Sequence, residues 1–158
     1  MIRTVLHIEI DDQPVKYTKT PPKRLAKGLF NGADIWAVSD PRVEILVQVK
    51  QLQNNSLWKY TFLPKQNVKL SFFQQIQSIY FLYNQGERLK IQLGSQAPVI
   101  YDQNQYNLFT MPKFHLMAYP EAGKRKFDLF LIDIGNGDPN CLRKVLADVN
   151  MLNKFPNI

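Results

Sequence analysis

The chain has 158 residues and a mass of 18.4 kDa, the size of one ordinary compact domain. With 45% hydrophobic, 12% aromatic and 21% charged residues it lies in the globular range, away from disordered composition, and its formal charge is +7. No apolar run approaches the roughly 20 residues of a membrane-spanning helix, and Met1 to His7 lacks the plan of a signal peptide, so the expected setting is cytoplasmic with no membrane partner. A single cysteine, Cys141, excludes an internal disulfide, and with only His7 and His115 beside it the chain cannot assemble a zinc site of the usual ligands; no metal and no cofactor are expected.

Arg3 to Ile10 is rich in β-branched residues and reads as a first strand. Residues 11–41 carry Pro14, Pro21, Pro22 and Pro41 around isolated apolar groups, Leu29-Phe30 and Ile35-Trp36, and are expected to form an irregular arm or long loop. Alternation then dominates. Val43, Ile45, Val47 and Val49 share one parity, as do Trp58, Tyr60 and Phe62 within Leu57 to Leu63. Strands follow over Val68 to Phe73 and Ile76 to Tyr83, with a turn at Asn84-Gln85-Gly86 and a half-buried strand from Arg88 to Leu93. Val99 to Tyr101, Tyr106 to Met111 and Phe114 to Tyr119 are three more, the last two stopped by Pro112 and Pro120.

Lys126 to Ile134 is the most apolar stretch and is expected to be a central strand. Asp138-Pro139 then pairs an N-cap carboxylate with a proline suited to the first helical position, and Leu142, Val145, Leu146, Val149 and Leu152 make one apolar stripe of a C-terminal helix over 138–154. Many short strands at even spacing and one late helix give a mainly β class, a barrel or sandwich in a single domain: an N-terminal strand and arm over 1–41, a β core over 42–137, then the helix.

The net charge invites a nucleic-acid reading, but its distribution weakens it. Residues 1–40 carry six basic and five acidic groups, residues 41–137 eleven and six, and residues 138–158 three and two. The densest clusters, Lys23-Arg24 with Lys27 and Lys124-Arg125-Lys126, fall in loops and read as solvated surface. The sequence holds no nucleophile elbow, P-loop, dinucleotide fingerprint or paired-histidine metalloprotease motif. His115 alternates to the same face as Met117 and Tyr119 and reads as a core or pocket-wall imidazole.

From Val68 to about Asn150 the order of segments resembles the N-terminal sensory domain of AraC-type transcription regulators. The resemblance rests on Ile79 to Tyr83 followed by a glycine turn, a strand at Arg88 to Leu93, the segment Gln105-Tyr106-Asn107-Leu108-Phe109-Thr110-Met111-Pro112, a strand at Phe127 to Ile134 and a Leu-rich helix at Cys141 to Leu152. It implies a cupin-like β-barrel that takes a small effector or a partner protein, and a helix for dimerisation. Nothing after Leu152 can form a helix-turn-helix, so no sequence-specific DNA binding is expected of these residues.

If strands 76–83, 105–111 and 113–119 line the barrel mouth, Tyr80, Tyr106, His115 and Tyr119 are the candidate ligand-binding residues. Leu142, Leu146 and Val149 are the candidate dimerisation residues of a homodimer. The expectation is therefore a non-enzymatic ligand-sensing and dimerisation domain. The alternatives are a basic single-stranded nucleic-acid binder with aromatic stacking platforms and a metal-free cupin-like enzyme.

Overall fold

The computed structural model describes residues 6–52, 55–74, 78–111, 113–123 and 126–133. The C-terminal helix expected over 138–154, with Leu142, Leu146 and Val149, lies outside them, as do Cys141 and Pro112.

Twelve strands run through the described residues: β1 His7–Ile10, β2 Gln13–Pro14, β3 Asp34–Ser39, β4 Val43–Leu52, β5 Asn55–Pro64, β6 Leu70–Gln74, β7 Ser78–Asn84, β8 Leu89–Leu93, β9 Val99–Tyr101, β10 Tyr106–Met111, β11 Phe114–Tyr119 and β12 Phe127–Asp133. They form two six-stranded antiparallel sheets, in the orders β2-β1-β6-β11-β8-β9 and β10-β7-β12-β5-β4-β3. The apolar stretch expected to be central is β12, held between β5 and β7.

Alternation decides which side chains face between the sheets. In the second sheet Val43, Ile45, Val47, Trp58, Tyr60, Phe62, Leu129 and Leu131 point inward, and in the first sheet Ile8, Ile10, Leu70, Phe72, Ile91, Leu116 and Ala118 meet them, all buried in one cluster. Burying such side chains stabilises by roughly 1.5–3 kcal/mol each, which fixes the register, because a one-residue slip would turn every one of them outward.

The expectation of an irregular arm over 11–41 needs correction. The segment contains β2, one turn of 3-10 helix at Ala26–Gly28 and a full edge strand, β3. Within β3, Trp36 and Val38 reach the core while Ala37 lies on the outer face with Leu46 and Leu25. Residues 15–33 are irregular apart from that turn and a bridge between Thr18 and Ala37. They cross the outer face of the second sheet, where the Gln48 side chain accepts the Phe30 N–H at 2.7 Å and donates to the Gly28 carbonyl at 3.0 Å.

Candidate functional site

The space between the sheets is occupied by rings. Trp36 stacks on Trp58 at 5.8 Å, Trp58 on Tyr60 at 6.2 Å, and Tyr60 meets Phe72 of the opposite sheet edge-on at 4.9 Å. The Tyr60 hydroxyl accepts a hydrogen bond from Gln74 at 3.0 Å, and burial holds it protonated well above the ordinary tyrosine range. These buried contacts tie the two sheets together.

The four residues expected to line a mouth do not converge. Tyr80 is buried between the sheets, 5.6 Å from Phe109 and 5.1 Å from Phe114, and burial, joined by the charge of Asp133, raises its hydroxyl pKa strongly. Tyr106 is exposed on the outer face of the second sheet, against Phe81 at 5.5 Å. His115 and Tyr119 share the outer face of the first sheet. The reason is parity: Tyr106 pairs with Tyr83 and so alternates out of phase with Tyr80, while His115 and Tyr119 stand opposite to the inward Leu116 and Ala118.

His115 stacks on Phe73 at 4.0 Å, and its Nε2 is buried without a hydrogen-bond partner. Burial lowers its pKa, and the nearby Lys69 adds to the effect while Glu9 opposes it. Tyr119 donates from its hydroxyl to Gln92 at 3.2 Å, and the Lys90 ammonium sits 5.1 Å above its ring.

Tyr119 also borders a cleft of about 960 Å³ at one end of the sandwich. The cleft forms where the chain enters β6 at Lys69, enters β8 at Arg88 and Lys90, leaves β11 at Tyr119 and turns through Pro120 to Gly123 before β12. Val68 and Phe127, both buried, give it an apolar floor. Its walls carry three cations, Lys69, Arg88 and Lys90, and three carboxylates, Asp11, Glu87 and Glu121. Lys69 is held by Asp12 at 2.8 Å and Arg88 by Asp102 at 3.2 Å, so two of the cations are already committed to partners on the protein. Sequence patterning marks Arg88 and Lys90 only as the polar parity of a half-buried strand. Nothing local joins them to the 120–123 turn, about thirty residues on.

No family model and no curated protein matches the chain. Solved structures do. The iron(II) form of HppE matches at a TM-score of 0.50 with 8% identity, over 73% of this chain and 64% of that one, which is just under two thirds of that protein's length. A hydroxypropylphosphonic acid epoxidase from S. wedmorenis matches at 0.46 with 7% identity over 76% of this chain and 64% of that one. A cupin-2 domain from Rhodospirillum rubrum matches at 0.46 with 14% identity over 84% of this chain and 92% of that one.

These are likenesses of fold, and they place cupin proteins among the structural neighbours of this mainly β chain. The expectation of a non-enzymatic protein is overturned, since this fold is similar to that of the iron(II) form of HppE and a lack of familiar catalytic motifs in such a fold does not make a chain non-enzymatic. Among the described residues no group of three or more His, Cys, Asp or Glu is placed to hold a metal ion.

Proposed function

We propose that the chain is a small-molecule-binding domain of cupin-like build, used in the manner of the sensory domain of AraC-type regulators, and that its ligand sits in the end cleft and not between the sheets. The observation that carries this reading is the cleft itself, about 960 Å³ of polar-walled space over Val68 and Phe127. Three cations facing three carboxylates leave no net charge on its walls. The fitting ligand is a small polar molecule without net charge, zwitterionic or polyhydroxylated, whose donors meet the carboxylates and whose acceptors meet Lys90. An apolar ring face or carbon backbone of that ligand rests on the floor.

Thermal unfolding in the presence of a panel of neutral amino acids and sugars tests this. A ligand at one hundred times its Kd stabilises by about 2.7 kcal/mol, a rise of roughly 5–10 °C for a domain of this size. Lys90→Glu and Glu121→Lys, both at exposed positions, are expected to abolish the shift while leaving the unliganded midpoint within about 1 °C. A shift that survives both substitutions, or a ligand found between the sheets, overturns the assignment.

A further inference from the structure

Most asparagine side chains among the described residues are occupied. Asn84 donates to the Tyr101 carbonyl at 3.0 Å from a fully buried position, and Asn67 accepts the Ala122 N–H at 2.7 Å. Asn104 accepts from the Tyr83 hydroxyl at 2.6 Å, Asn107 donates to the Tyr101 hydroxyl at 3.1 Å, and Asn55 is buried on β5. Asn31 is the exception. It is exposed in the arm, and its side-chain amide makes no hydrogen bond among the described residues.

Gly32 follows it in a left-handed conformation, at φ +74°, and no atom lies within 4 Å of where a Cβ would stand. The Gly32 nitrogen is therefore open to approach by the Asn31 side chain, and its N–H has no acceptor among the described residues. The pair forms the tip of a turn closed from the Ala33 N–H to the Phe30 carbonyl at 3.3 Å. A bond that long holds the backbone dihedrals of the tip weakly.

We propose that Asn31-Gly32 is a site of intramolecular deamidation whose isoaspartate product loosens the arm. The Gly32 nitrogen loses its proton to solvent and attacks Cγ of Asn31. The new N–Cγ bond closes a five-membered imide as the bond to the side-chain amide nitrogen breaks, and ammonia leaves with a proton. Water then opens the ring at either carbonyl. One opening gives aspartate; the other gives isoaspartate, in which the main chain runs through the former side-chain carbons.

Isoaspartate adds one atom to the main chain where there is no slack. Phe30 is held through its N–H by Gln48 of β4, and Asp34 pairs with Val49, the next residue of β4. Asn31 to Ala33 therefore link two anchors on adjacent residues of one strand. β3 is paired with β4 along its whole length, whereas this end of the arm hangs on the two Gln48 bonds and the packing of Leu25. The Phe30 anchor is the one that gives way.

The other Asn-Gly pair of the chain, Asn136-Gly137, is removed by Asn136→Gln, and that protein is the reference. Held at mildly alkaline pH, it is expected to gain an acidic form on ion exchange, mapped by peptide mass to Asn31. Conversion there should outpace that at Asn67 by roughly tenfold or more, because the branched side chain of Val68 crowds the attacking nitrogen. Methyl transfer by an isoaspartyl methyltransferase counts the isoaspartate, and adding Asn31→Gln should remove both signals. The isoaspartate fraction is expected to be cut by trypsin at Lys23 and Arg24 several-fold faster than fresh protein, while the Asn31→Gln protein incubated alike is cut at the fresh rate. Conversion at Asn31 no faster than at Asn67, or an isoaspartate fraction cut at the fresh rate, overturns the inference.

Discussion

Asn84 shows how much a single buried amide can organise. It is fully buried at the end of β7. Its side chain donates to the carbonyls of Glu87 and Tyr101 at 2.9 and 3.0 Å and accepts the Gly86 N–H at 3.1 Å. It thereby ties the second sheet to the β8–β9 end of the first. Gly86 is confined beside it, since an added Cβ would lie 2.5 Å from the backbone nitrogen of Asp128. Replacing Asn84 by Leu keeps the volume but strands two carbonyls, and is expected to cost roughly 2–4 kcal/mol, read as a lower midpoint in urea unfolding; a loss below about 0.5 kcal/mol contradicts it. His115 makes a prediction in pH. Its folded pKa lies below the ordinary 6.5, so the unfolded chain binds the proton first as pH falls. Stability should therefore drop as pH falls through 6.5 and level off below the folded pKa. His115→Gln should flatten that limb between pH 7 and 5, and an unchanged slope would reject the assignment.

At the scale of elements, Gln48 is the clasp of the arm. It is buried on β4 and holds both Phe30 and Gly28. Gln48→Ala should release residues 19–32, seen as trypsin cleavage at Lys23, Arg24 and Lys27 accelerated several-fold with the β core intact; unchanged cleavage would show that Leu25 packing on Ala37 and Leu46 suffices. This region is also where the sequence was hardest to read. From β4 to β12 alternation or a continuous apolar run between turn residues marks each strand, and the observed bounds differ from the expected ones by a residue or two. β3 escaped notice because Ile35, Trp36, Ala37 and Val38 are apolar in succession, both of its faces being covered, and prolines crowd that part of the chain. The candidate site was less legible still. Parity correctly set His115 with Tyr119, but which strands share an end of the sandwich depends on sheet order, which no local pattern encodes.

For the molecule as a whole, Trp58, Tyr60, Phe62 and Phe72 are buried and hold the sheets together, so these four rings are not open to stack on a nucleic-acid base. The placement of β12 in the middle of the second sheet bears on synthesis. β5 and β7 both wait for it, and β5 finds its partner across Thr61↔Asp128, a separation of 67 residues. Until residues 127–133 leave the ribosome, a nascent chain holds the β3–β4–β5 meander and the β7–β10 pair apart, each with an apolar edge open. The centre of the sheet is therefore closed by the last of the described strands in chain order. Any pause in translation before Phe127 prolongs the interval in which β5 and β7 can pair with another nascent chain, so yield in the cell depends on the time taken to make that one strand.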